Sequence, residues 1–299
     1  MTISRRRFTQ GILAAAAAPT AARAQSYPAK PINIVVGYSA GGGVDAVVRT
    51  IATPLGARLG QPIVVENRPG ASGVIAASHA AKAPPDGYTL SGTDGGAIAL
   101  NAALFSKLPY DPVADFTPLS LIIRAPLLIV AHPTFPASDL RGLVEYAKRE
   151  KGGLYYASAG LGTYHHLAME LLKSRAGFEA QAVLYKGAGP AAQEVMGGQV
   201  PVMPLDTIVA LPLLRAGKIK AIAALTPTRL DSLPDVPTAA ETGLRDVEVY
   251  PWVGLVAPRA TPASLVARLG AEVREVVTSS EVAKRFTNLG MEPHPLAPE

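Results

Sequence analysis

The first strong signal in the chain is a change of period. Residues 32–38, INIVVGY, are a continuous apolar run rich in β-branched side chains, and from Val44 the apolar positions Val44, Val47, Val48, Ile51, Leu55 and Leu59 recur at helical spacing. Strand, glycine turn and amphipathic helix are predicted in that order. The rhythm returns with a strand over 62–66, a helix over 72–82, a strand over 88–92 and a helix over 97–105. It breaks at LSLIIRAPLLIV, residues 119–130, where Arg124, Ala125 and Pro126 interrupt one long apolar stretch. Two strands meeting at a proline predict a crossing between domains. The alternation then resumes, with helices over 138–150, 163–175, 190–196 and 207–216 and strands over 154–157, 182–185, 200–205 and 219–225. The proline-rich residues 226–243 read as a surface segment with a short helix at 238–242 and a return crossing. A strand over 252–257 and helices over 262–278 and 280–289 complete the first unit.

Strands alternating with helices imply parallel pairing and an α/β fold. The two breaks divide it into two lobes, residues 25–123 with 226–299 and residues 124–225, and a cleft between such lobes is a favoured ligand site. The final PLAPE, residues 295–299, reads as a helix start with an acid in its first turn, whose helix body is expected beyond the last residue.

Charge changes the picture only once the N-terminus is set aside. The first 24 residues hold Arg5, Arg6, Arg7 and Arg23 but no acid, then an apolar stretch over 11–18 and the small-residue site Ala22-Arg23-Ala24. This is the pattern of a cleavable secretory signal, with cleavage expected after Ala24. Ser4-Arg5-Arg6-Arg7-Phe8 adds a twin-arginine order of charges, so a periplasmic location is expected. Of the 28 basic residues four lie in this segment, leaving 24 against 23 acids. The net charge of +5 therefore gives no support to a nucleic-acid partner. There is no cysteine, which excludes disulfides, thiolate nucleophiles and cysteine-held zinc. No later apolar run reaches the roughly 18–20 residues of a membrane-spanning helix.

The first glycine turn contains a complete G-x-S-x-G match, Gly37-Tyr38-Ser39-Ala40-Gly41. As a hydrolase elbow it would make Ser39 the nucleophile, with Asp235 and His294 in the order such enzymes use. Against that, Ser39 is the fifteenth residue after the expected cleavage, with no room upstream for the strands that carry an oxyanion loop. As an anion cradle, Gly41, Gly42 and Gly43 let the backbone turn sharply and present N–H groups at a helix N-terminus. A structural turn without ligand is the third reading. Three later stretches favour the cradle: ENRPGASG at 66–73, SAGLGTYHHLAMELL at 158–172 and YKGAGPAAQEVMGGQV at 185–200 each put small residues between a strand and a helix. His165, His166 and Glu170 lack a third metal ligand nearby, so one histidine facing the cleft and one at the surface are expected, with no metal or cofactor. Asp45 is equally well placed to favour the dipole of its own helix. Tyr250 and Trp252 suit core or hinge packing, and Lys186 suits either an anion or solvent.

Taken together, GYSAGGGVDAVVR (37–49), VVENRPGASGVIAA (64–77), PPDGYTL (84–90), YYASAGLGTYHHLAMELL (155–172), YKGAGPAAQEVMGGQV (185–200), AGKIKAIA (216–223), LPDVPTAAETG (233–243) and PWVGLVAP (251–258) resemble, in order, the substrate-binding proteins of tripartite tricarboxylate transporters, the Bug receptors. The resemblance implies a two-lobed periplasmic binding protein of the type II, Venus-flytrap kind, with two crossing strands as hinge. It implies a monomer, not an enzyme, that closes on a small organic acid and delivers it to membrane permease subunits; a ligand-sensing role and a serine esterase are the alternatives. Carried onto this chain, the family's ligand contacts fall on Tyr38, Ser39, Gly41, Gly42, Asp45, Ala71 and Ser72 of the first lobe. In the second lobe they fall on Ser158, Gly162, Thr163 and His166, with Tyr185 and Asp206 along the far wall. Two departures stand out: the family continues with a further helix after the position of Pro295, and Leu205 stands where an aromatic side chain is common.

Overall fold

A computed structural model describes residues 27–297 of the chain. The N-terminal signal expected over residues 1–24 lies outside the described residues.

The switch of period is real. Strand β1 (Ile32–Val36) enters a glycine turn, and α1 (Gly43–Leu59) buries Val47, Val48, Ile51 and Leu55 on its inner face. Each such side chain contributes about 1.5–3 kcal/mol relative to exposure. Gly60 stops the helix in the left-handed region, at φ 76°, and donates its N–H to Gly56 O. Then follow β2 (Ile63–Asn67), a 3-10 turn (Ala71–Gly73), α2 (Val74–Ala81), β3 (Thr89–Asp94), a π turn (Gly96–Leu100), α3 (Asn101–Leu104) and β4 (Phe116–Arg124). The second lobe contains β5 (Leu127–Ala131), α4 (Leu140–Arg149), β6 (Leu154–Ser158), α5 (Tyr164–Ala176), β7 (Ala180–Leu184), α6 (Ala188–Met196), β8 (Val202–Asp206), α7 (Thr207–Arg215) and β9 (Lys220–Ala224). The chain ends with β10 (Trp252–Pro258), α8 (Ala263–Thr278), α9 (Ser280–Asn288) and β11 (Glu292–Pro293).

The strands form two sheets, in the orders β11-β4-β10-β3-β1-β2 and β7-β6-β8-β5-β9. Within each, three strands run parallel, β2-β1-β3 and β7-β6-β8, and the next strand is antiparallel to them. That antiparallel strand is in each case one that has just crossed from the other lobe: β5 follows β4 through Ala125 and Pro126, and β10 returns the chain. The two crossings touch, Ala125 N–H donating to Pro251 O at 2.8 Å.

The return comes later than the proline pattern implies. Residues 226–249, expected in the first lobe, pack on the second: Ala239 and Val247 are buried in its core, Ala224 bridges Thr238, and Val249 N–H donates to Leu225 O. Prolines set the local path of this segment, but its buried alanine and valines decide which sheet it covers. At the C-terminus residues 292–297 run extended along β4 and not as a helix start, with Leu296 O accepting from Leu121 N–H and His294 N–H donating to Ile122 O. An open sheet edge offered unpaired groups, and these outweighed the weak helix signal of a proline followed by an acid. No helix among the described residues is long and apolar enough to cross a membrane.

Candidate functional site

In both lobes the carboxyl ends of the parallel strands face the other lobe, and the helices that follow them begin there. This brings the N-termini of four helices around one chamber: Gly43 and Val44 of α1, Tyr164 and His165 of α5, Ala188 of α6, and Ile208 of α7 all line it. Their first N–H groups have no partner within their own helix, and the four dipoles point positive ends at the same space. The chamber measures about 30 Å³ with the lobes together, enough for one or two water-sized groups. A larger ligand enters only with the lobes apart. Tyr38 and Ala159 also line a wider mouth pocket of about 340 Å³, whose walls include Ala71, Ser72, Leu161, Tyr185 and Lys186.

Two carboxylates face the chamber. Asp94 ends β3 and is buried; the Tyr38 hydroxyl (3.0 Å) and the Ala97 N–H (3.0 Å) both donate to its Oδ1. Burial pushes its pKa up, and Asp206 across the cleft adds to this, against the opposing pull of those two bonds. Tyr38 is held in its neutral, donating form by burial and by the same acid. Asp206 ends β8 at the start of α7, and its Oδ2 lies 3.0 Å from His165 Nε2. A Cβ on Gly43 would lie 2.8 Å from Asp206 Oδ2, so glycine is what lets this second-lobe acid reach the start of α1. A Cβ on Gly95 would lie 2.0 Å from the Tyr164 hydroxyl oxygen and 2.9 Å from Trp252 Nε1, so the lobes also meet there through the absence of a side chain. Trp252 is thus a cleft residue at the hinge.

The sequence-derived site residues divide into three groups. Tyr38, Gly42, Thr163 and Asp206 line the chamber, and Ala71, Ser72 and Tyr185 line the mouth. A second group latches the lobes to each other. Ser39 donates to Lys186 O through its N–H (3.0 Å) and hydroxyl (2.8 Å), and Ser72 Oγ donates to Leu161 O at 2.5 Å. Gly162 meets Leu104 of the opposite lobe, a Cβ there falling 2.0 Å from Cδ1. The third group shapes its own loops. The Gly41 N–H is spent on Asp45 Oδ2 (2.9 Å), and Arg49 and Asn67 fill the rest of that carboxylate. Burial alone would raise the Asp45 pKa, but these bonds outweigh it and hold it below the ordinary value. Ser158 Oγ donates to Gly160 O, and Thr163 Oγ1 caps α5 by accepting from His166 N–H. His166 turns away toward Tyr156 and Glu170 and is held neutral by burial. The histidine in the cleft is His165, one residue earlier. In α5 a step of one residue turns the side chain by about 100°, so the choice between neighbours needed the helix's orientation.

Sequence reasoning missed Asp94 and Tyr164, and it gave Trp252 as core or hinge packing and not as a cleft residue. Asp94 carried a usable signal, an acid at the carboxyl end of a parallel strand followed by two glycines. The hydrolase reading fails on geometry: among the described residues the Ser39 hydroxyl bonds to a backbone carbonyl and to no histidine.

The profile of the tripartite tricarboxylate transporter family receptor matches residues 47–297. BugT of Bordetella pertussis is 34% identical over 278 residues, covering 93% of this chain and 85% of its own. Two solved structures from Rhodopseudomonas palustris share the fold. MatC with bound malate is 38% identical with a TM-score of 0.84, covering 89% of this chain and 91% of its own. Rpa4515 with adipate is 35% identical with a TM-score of 0.87, covering 91% of each. A family profile spanning most of the chain, with relatives of this similarity over nearly all of it, places this protein in the tripartite tricarboxylate transporter receptor family.

Proposed function

We propose that this chain is a periplasmic receptor that captures a small carboxylate between its lobes and hands it to a tripartite tricarboxylate transporter permease. The observation that carries this reading is the convergence of four helix N-termini on one inter-lobe chamber, in a fold whose relatives were seen with malate and with adipate. An anion there meets N–H groups and positive dipole ends without needing an arginine. Hydrogen bonds to a charged group are worth about 1.5–3 kcal/mol each, so three or four of them offset much of the roughly 4–15 kcal/mol that association costs. Closure supplies the rest by removing water and bringing the second lobe's donors into place. The arginine-led N-terminal segment supports export, and action as a single chain is part of the proposal.

The test is a thermal-shift screen of the ligand-stripped mature protein against mono-, di- and tricarboxylates, each paired with its neutral amide. An acid at 100 times its dissociation constant adds about 2.7 kcal/mol, a rise of roughly 5–10 °C at this size. A shift by an acid and not by its amide supports the reading. Equal shifts, or none with any acid, contradict it.

A further inference from the structure

The turn that carries Ser72 toward the other lobe holds a conformation its residues do not favour. Ala71 and Ser72 are consecutive non-glycine residues in the left-handed region, at φ 46° and φ 53°. Such residues visit this region singly and at a cost, so a pair persists only where partners fix it. A partner is supplied by Asn101, the first residue of α3, which is fully buried. Its Nδ2 donates to Ser72 O at 3.0 Å. A carbonyl oxygen only accepts, so the NH2 side of the amide must face Ser72. The Oδ1 side is buried with no hydrogen-bond partner among the described residues. Burying an amide half unpaired is costly, and the one short bond this amide makes is the one to the turn. Asn101 is also held from the chamber side, because the π turn Gly96–Leu100 leads directly into it. Within that turn the Ala97 N–H donates to Asp94 Oδ1 (3.0 Å), and the Ala97 carbonyl accepts from the Tyr110 hydroxyl (2.5 Å), which lies 3.5 Å from Asn101 Nδ2. Beyond the turn, Ser72 Oγ donates across the cleft to Leu161 O. One run of contacts thus joins the chamber acid to the latch at the rim, with Asn101 as its middle link.

We infer that Asn101 is a positioning residue for lobe closure: by bonding the Ser72 carbonyl it holds the 71–72 turn left-handed, so that the Ser72 hydroxyl meets Leu161 O when the lobes come together. Asn101 lines neither the chamber nor the mouth pocket, so its effect on binding passes through Ser72. This inference rests on the reading that the receptor closes on its ligand, and it adds the part that sets one of the latches. Without the Asn101 bond the turn relaxes out of the left-handed region and the hydroxyl moves off the carbonyl. The closed form then loses one hydrogen bond between the lobes, about two- to tenfold in an equilibrium constant.

Two readouts test this on the ligand-stripped full mature chain. The first needs no ligand: the Cα and Cβ chemical shifts of Ser72, measured by NMR, report whether its φ is positive. The second is isothermal titration with malate and adipate as probes, or with the tightest acid of the thermal-shift screen where neither binds. Asn101→Ala is expected to lose the left-handed signature at Ser72 and to weaken the probe about two- to tenfold. Ser72→Ala is expected to weaken it by the same factor, and adding Asn101→Ala to Ser72→Ala to cause no further loss. The deciding variant is a rescue. Glycine enters the left-handed region freely, so Ala71→Gly added to Asn101→Ala is expected to restore the Ser72 signature and at least half of the lost affinity on a logarithmic scale. Ala71→Gly fills none of the space left by Asn101, so it cannot repair a loss of packing alone. A Ser72 signature that survives Asn101→Ala, no recovery with Ala71→Gly, or losses that multiply in the Asn101→Ala and Ser72→Ala pair overturns the inference and leaves the carboxylate reading intact. Binding of no acid at all overturns the carboxylate reading, and the Ser72 signature then decides by itself whether Asn101 holds the turn. If Asn101→Ala does not fold, Asn101→Ser, whose side chain is one atom shorter, carries the same comparisons.

Discussion

At the scale of single residues, the cleft is governed by a few side chains and by a few missing ones. Asp45 has a folded-state pKa below its unfolded value near 3.9. Its stabilising bonds are therefore fully present above that value and are lost as pH falls through the folded pKa. Arg49 is half exposed, so the ion pair itself adds little, and the loss on Asp45→Asn comes mainly from the bonds to Gly41 and Asn67. We expect about 1–3 kcal/mol at pH 7 by urea unfolding, with the gap between variant and wild type closing below pH 4; a gap that does not change with pH would refute this role. Gly187 sits at φ 145° and ψ 168°, a region only glycine occupies readily, and a Cβ there would lie 2.9 Å from Ser39 N of the other lobe. Gly187→Ala should lower the melting temperature through strain and also weaken ligand binding, about tenfold for every 1.4 kcal/mol of clash in the closed form. Gly41→Ala is the comparison, since Gly41 has φ 80° but open space around it. It should lose stability without losing affinity beyond that, and equal affinity losses in the two variants would mean that lobe contact is not what Gly187 serves.

At the scale of elements, α7 is the one whose role the sequence hid. Its pattern and the preceding strand place it in the second lobe, yet Ile208 is buried in the core of the first. Thr207 Oγ1 donates to Gly290 O at 3.1 Å, and Arg215 donates to Asn288 O. The hinge is therefore two crossing segments plus a helix anchored to both lobes. Ile208→Ala should cost about 2–5 kcal/mol and change the shape of the unfolding transition, because it loosens one lobe from the other as well as removing core volume. A loss below 1 kcal/mol with an unchanged transition would show that α7 only rests against the first lobe. The elements with long runs and clear spacing, β1 with α1 or β6 with α5, were legible because their period is set by burial on one face. The 226–249 segment was not, because prolines announce irregular backbone without saying which core it covers. The same limit applies to the site. Glycine loops at strand ends marked where the cleft lies, but the outward or inward turn of His165 against His166, and the approach of Asp206 to Gly43, depend on contacts between residues far apart in the chain.

At the scale of the whole molecule, function follows from the way each lobe is incomplete at the same place. Each sheet ends its parallel strands toward the other lobe; the first lobe contributes one helix N-terminus and the second three, and each adds one buried carboxylate to a chamber neither could form alone. The lobes are latched at the rim by backbone carbonyls, Lys186 O and Leu161 O, accepting from Ser39 and Ser72. These bonds are exchanged for water when the lobes part, so they add little net stability and do not lock the receptor shut. A ligand that contacts both lobes shifts such a balance by its preference for the closed form alone. The most direct test is small-angle X-ray scattering of the ligand-stripped protein, titrated with the acid identified by the thermal-shift screen and, in parallel, with its neutral amide. Contraction of the radius of gyration that saturates with the acid and is absent with the amide is the predicted result. No contraction at saturating acid, or the same contraction with the amide, would contradict capture of a carboxylate by closure of the two lobes.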